Sequence, residues 1–165
     1  MNSGQIVTAV LEEGSPLGST LDFVVDANAP RGGMKHTFFT PDRKYAVQFF
    51  NDPRDGHNPN IQDRIRTIVS IYNPTLSEQA GGALGNTEKT AEYIRSRFCW
   101  PVAIVSQPEI GIVCPTYPQK FFFGGNASTN GLNLKGKDKK SNWFTGRLRK
   151  YIAPEEKGDF RTMLG

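Results

Sequence analysis

Between Gln5 and Phe50 the chain presents four short runs of β-branched and aromatic residues, each cut off by a Gly, Pro or Asp turn. A stretch built that way folds as an antiparallel meander, because the runs are too short for helices and the turns reverse the chain. The runs are Gln5–Leu11, Leu21–Val25, His36–Thr40 and Lys44–Phe50, separated by 12–16, by Pro30-Arg31-Gly32-Gly33 and by Pro41-Asp42-Arg43. The period then changes. Ile61, Ile65, Ile68 and Tyr72 recur at helical spacing between Pro59 and Asn73-Pro74, which predicts one helix. Thr87 predicts the N-cap of a second helix running through Arg97, with Ala91, Ile94 and Phe98 on one side. Val102–Val105 and Ile110–Cys114 predict two more strands. Beyond Phe121-Phe122-Phe123 and a Gly- and Asn-rich loop, helices are predicted over 142–152 and 154–164, the second with Pro154 at its first position and Glu155-Glu156 in its first turn. The fold class expected from this order is α+β: an antiparallel sheet of about five strands with one or two packed helices and a helical C-terminal extension.

At 165 residues the chain can bury one real core. No apolar run approaches the roughly 18 residues that a membrane span requires. The first residues, Met1-Asn2-Ser3-Gly4-Gln5, lack the basic stretch and apolar block of a signal peptide, so a cytoplasmic protein is expected. Cys99 and Cys114 each sit in an apolar stretch and read as buried free thiols. Two Cys and two His at scattered positions offer no metal-site spacing. The net charge of +4 has a local excess: Lys135 to Lys150 holds seven Lys or Arg and one acid, Asp138. Such a run binds nucleic acid or phosphate in some proteins and is a solvated face in more.

The order strand, Gly-rich turn, strand, tight turn, strand, helix, strand, strand resembles the small lobe of protein kinases. Arg31-Gly32-Gly33-Met34-Lys35 falls where the Gly-rich loop lies in that family, Tyr45-Ala46-Val47-Gln48-Phe49-Phe50 falls at the third strand, and Ile110–Tyr117 resembles the fifth strand and hinge. Gly32-Gly33-Met34-Lys35, Phe98-Cys99-Trp100-Pro101, Pro115-Thr116-Tyr117 and the segment from Pro154 to Asp159 are similar to a bacterial kinase-like group associated with tellurium-resistance-type gene clusters. The resemblance implies a small lobe over 1–118 and, over 119–165, a loop and the start of large-lobe helices. It implies ATP as ligand, with magnesium bound only together with a large lobe. The implied partners are that large lobe and von Willebrand factor A-type and phosphatase proteins; nucleic acid and membrane are not expected. Neither a catalytic loop of the type H-x-D-L-x-x-x-N nor a metal-binding D-x-G occurs in the sequence, so no catalytic or metal-ligating residue is assigned.

The residues that would hold the nucleotide are Gly32, Gly33, Lys35, Gln48, Val113, Cys114 and Thr116. A Gly-rich turn lets backbone N–H groups approach phosphates. Gln48 stands where the kinase pattern has its phosphate-contacting lysine, and it brings no charge. Lys35 offers the substitute, as in the with-no-lysine kinases, whose loop motif resembles Pro30–Lys35. Asp63, Glu88 and Glu92 are the acids that could pair with such a lysine, and the sequence does not choose among them. Val113, Cys114, Thr116 or Tyr117 would offer hinge backbone groups to adenine. Two further functions stay open: a protein-interaction module that binds no nucleotide, and a small basic nucleic-acid binder using 135–150. An isolated small lobe would also expose apolar surface, around Phe121–Phe123 and the terminal helices, and self-associate.

Overall fold

Six strands form where the apolar runs place them, but they close into a barrel. They are β1 (Ile6–Leu11), β2 (Thr20–Val24), β3 (Lys35–Phe39), β4 (Tyr45–Phe50), β5 (Ala103–Gln107) and β6 (Gly111–Pro115). The computed structural model describes residues 3–118 and 121–123, with the backbone alone of 128–129 and 132–133. All neighbours are antiparallel, in the order β1-β2-β3-β4-β6-β5, and β5 returns to β1 through Val10 opposite Gln107 and Leu11 opposite Val105. The Glu12 N–H donates to the Ile104 carbonyl at 2.9 Å and extends that seam. The β2–β3 seam is narrower still, with only Val24 opposite Phe39 in register. The β1–β2, β3–β4 and β4–β6 pairs carry five registered positions each and are the long ladders of the barrel.

This closure overturns the expected open sheet of about five strands with a kinase-small-lobe architecture. The physical reason lies in the inward residues. Ala9, Leu11, Phe23, Val47, Phe49, Val105 and Val113 form one buried cluster, and Phe23 meets Phe38 and Phe49 at ring-centroid distances of 5.4 and 5.5 Å. An open sheet would need a covering layer for that face; curling the sheet on itself buries it and removes both edges.

The helices sit in the long connection between β4 and β5: α1 (Pro53–His57), α2 (Pro59–Val69), a 3-10 turn at Glu78–Ala80 and α3 (Glu88–Arg97). Asn58 caps α2 by accepting from the Asn60 N–H, and Thr87 caps α3 by accepting from the Thr90 N–H, as its position predicts. α2 lays Ile61, Ile65 and Val69 on the outward side chains Phe50, Ile104, Ile112 and Cys114. The predicted stripe differs here. The helix ends at Val69, so Tyr72 lies beyond it, and Ile68 and Tyr72 are 38% and 50% exposed. Phe98, expected on the inner side of α3, is also exposed, whereas Ala91 is buried.

Buried Asn73 holds this connection to the barrel. Its Nδ2 donates to the carbonyls of Val69 and Pro101, and its Oδ1 accepts from the Thr75 N–H at 2.8 Å and the Thr75 hydroxyl at 2.6 Å. Asn73→Ala strands two donors and two acceptors in an interior site, so a loss of about 2–3 kcal/mol is expected in urea unfolding. A midpoint unchanged by the substitution would contradict the network.

The chain divides into two compact units, Met1–Thr116 and Tyr117–Gly165. In the second, β7 (Ser128–Thr129) pairs antiparallel with β8 (Leu132–Asn133). The predicted helices over 142–152 and 154–164, the basic run and Trp143 lie outside the described residues. Among the described residues no helix is long and apolar enough to cross a membrane.

Candidate functional site

Strand alternation decides which candidate residues can meet. Lys35 stands opposite Phe50, Thr37 opposite Gln48, Gln48 opposite Ile112, and Ala46 opposite Cys114. Because Val47, Phe49 and Val113 fill the interior, Lys35, Thr37, Gln48, Phe50, Ile112 and Cys114 all belong to the outer face of β3–β4–β6. Lys35 and Gln48, from consecutive strands, and Cys114, from a strand far along the chain and buried beneath α2, therefore share one face of the sheet.

Lys35 follows a tight hairpin tip. Arg31 bridges His36, the Gly32 N–H donates to the Lys35 carbonyl at 2.8 Å, and Gly33 and Met34 form the tip. Asn51, just past β4, fixes this tip from the side: its N–H donates to the Met34 carbonyl at 2.8 Å and its Nδ2 to the Gly32 carbonyl at 2.9 Å. Neither glycine adopts a left-handed conformation. A Cβ on Gly32 would meet the Lys35 carbonyl at an ordinary 3.7 Å, and one on Gly33 would meet nothing within 4 Å. The turn itself does not require glycine, and the pair leaves bare backbone beside Lys35.

The Lys35 ammonium lies 5.0 Å from the centre of the Phe50 ring. It makes no ion pair with any carboxylate among the described residues. Burial of this half-buried side chain pushes its pKa below the usual lysine value, and the nearby Cys114 opposes that shift. The Cys114 thiol is itself pushed up to about 11 by burial, so it stays protonated and neutral. Two of the acids considered as partners are engaged elsewhere: Asp63 lies 3.8 Å from Arg66, and Glu88 pairs with Arg95.

The hinge candidates are placed differently. Val113 is fully buried inside the barrel, and its carbonyl accepts from the Val102 N–H at 2.8 Å. Cys114 is in the β4–β6 ladder. The Thr116 N–H donates to the Lys44 carbonyl at 2.9 Å, and its hydroxyl donates to the Arg43 carbonyl at 2.8 Å. In a closed barrel β6 has a neighbour on both sides, which occupies the backbone groups that a free hinge would offer to a base.

Sequence reasoning missed a cavity of about 820 Å³ on the other flank of α2, bounded by the β1–β2 turn, the segment after α2, and the start of β5. It shares no residue with the Lys35 face. No local motif announces it, because its walls come from five separated stretches of chain. Comparison with protein-family models, with curated proteins and with solved structures finds no match to this chain.

Proposed function

We propose that the part of the outer β3–β4 face that α2 leaves uncovered binds a nucleoside triphosphate of the ATP type through its phosphates, with Lys35 as the charge-bearing contact and Gly33 at the hairpin tip as the backbone contact. The observation that carries this reading is the Lys35 ammonium: half-buried, set against an aromatic ring, and without a carboxylate partner among the described residues. A desolvated, unpaired cation costs stability, and an incoming phosphate supplies what it lacks. Gln48 beside it can donate a hydrogen bond to a phosphate oxygen. The engaged backbone of Val113 and Thr116 argues that the base contributes little, so recognition runs through the phosphate chain. Two free thiols, Cys99 and Cys114, fit a reducing, cytoplasmic setting.

A thermal-shift titration tests the reading, since a ligand that binds only the folded form raises its melting temperature. ATP with magnesium and inorganic tripolyphosphate are expected to raise Tm in a saturable way, and adenosine is expected to leave it unchanged. If neither phosphate compound shifts Tm at millimolar concentration, the proposal fails and the module reading, a protein contact without nucleotide, takes its place.

A further inference from the structure

The cavity flanking α2 is built differently from the Lys35 face, and its chemistry points to a different ligand. Apolar Val69, Leu76, Val102 and Ile104 line it. Four charged residues also line it, two acids and two bases: Glu12, Glu13, Arg66 and Arg95. Three of these four are already matched. Arg66 holds Glu12 with Nε 3.2 and 3.3 Å from its two carboxylate oxygens and Nη2 2.8 Å from one of them. Arg95 donates to the Thr75 carbonyl at 2.6 Å and pairs with Glu88. Glu13 is exposed on the β1–β2 turn, where water satisfies it. The lining is therefore balanced in charge and leaves no buried ion in need of a partner.

The walls are also constructed to stay apart. Of four buried polar side chains among the described residues, three are Asn73, Thr75 and Ser77 in the segment that forms one wall. Burying polar groups costs free energy unless each is bonded, and Asn73 and Thr75 bond each other and the backbone on both sides. Behind that wall the chain is tightly packed: a Cβ on Gly82 would fall 2.7 Å from the Leu76 carbonyl oxygen. The Glu12–Arg66 pair joins the β1–β2 turn to α2 across 54 residues of sequence and fixes the opposite side. Collapse would break these contacts, so the space persists. A space with an apolar floor, whose buried polar groups are bonded to one another, suits water poorly and an apolar molecule well.

We infer that this cavity is a second ligand site, for a neutral and largely apolar small molecule such as a fused aromatic ring system, independent of the phosphate site. The Glu12–Arg66 pair serves as its latch and the exposed lining residues Ile71 and Ala80 lie at its mouth.

The probe is N-phenyl-1-naphthylamine, neutral and fluorescent when shielded from water, titrated into the full chain. Saturable binding of one probe per chain is expected. Ala80→Trp, and independently Ile71→Trp, place an indole in the mouth from exposed positions and are expected to weaken binding tenfold or more, with circular dichroism reporting an unchanged fold. Phe98→Ser removes exposed apolar surface outside the cavity and is expected to leave binding unchanged. The anionic analogue 1-anilinonaphthalene-8-sulfonate is expected to bind more weakly than the neutral probe. Unsaturable binding, equal affinity in both tryptophan variants, loss of binding in Phe98→Ser, or preference for the sulfonate would each overturn the inference. ATP added to the probe complex is expected to displace nothing, which separates this site from the phosphate site.

Discussion

Gly111→Ala is expected to destabilise the barrel by about 3 kcal/mol or more, at or beyond the upper end of overpacking substitutions. Gly111 opens β6 between Phe49 of β4 and Val105 of β5, where the sheet turns its inner face to the core. An added methyl would lie 2.6 Å from the Gln48 carbonyl oxygen and 2.8 Å from Phe49 Cδ1. The first of these is backbone in the adjacent strand, so relief requires moving the β4–β6 ladder and, with it, Gln48 and Phe50 on the site face. A domain of this size holds only about 5–15 kcal/mol in total. Urea unfolding followed by tryptophan fluorescence measures the effect; a midpoint close to that of the unchanged protein would show that β4 and β6 are not packed as described.

Lys35→Met has two effects of opposite sign. Burial holds the Lys35 pKa below the ordinary lysine value, so the fold disfavours the charged form. For a base whose folded pKa is lowered, the penalty is fully present below the folded pKa and fades as pH rises towards the unfolded value. At neutral pH the penalty is therefore in force. Methionine keeps the apolar stem against Phe50 and removes the charge, although water screens part of the original penalty and the contact with the ring is lost. The ligand-free variant is expected to be no less stable than the parent, gaining up to roughly 1 kcal/mol. Its affinity for ATP should fall by about 1.5–3 kcal/mol, tenfold or more in Kd, the worth of a hydrogen bond to a charged group. A residue kept for structure would lose stability on replacement; one kept for a ligand loses binding. Phosphate binding also supplies the missing counter-charge, which favours the ammonium form, so affinity should decline as pH rises into the range where free Lys35 loses its proton.

Much of the local structure was legible in the chain. The apolar runs ending at Leu11, Phe50 and Cys114 form strands within a residue or two of their predicted positions, because β-branched and aromatic residues between turn formers admit little else. Thr87 reads correctly as a cap because its role depends on three neighbouring residues. What the residues do not reveal locally is the partner of β1. Leu11 meets Val105 at a separation of 94 positions, and that contact turns a sheet into a barrel. The helix stripe failed at Tyr72 because the pair Asn73-Pro74 suggests a stop at 72, whereas the helix ends at Val69.

The candidate site divides along the same line. Placement of Lys35 and Gln48 on one face follows from strand period once β3 and β4 are known to pair, and the missing charge at Gln48 is visible in the sequence alone. The burial of Val113 is not, since it depends on which face of β6 the closed barrel turns inward. The α2-flank cavity lies furthest from local reading, being assembled from residues as distant as Glu12 and Ile104.

Calorimetric titration of ATP with magnesium into the full chain and into its Lys35→Met variant tests the phosphate site most directly. The predicted result is one ATP per chain in the parent, displaced by tripolyphosphate, and binding weakened at least tenfold in a variant that melts no earlier. Equal affinity in the two proteins, or a parent that binds adenosine as well as it binds ATP, would contradict it.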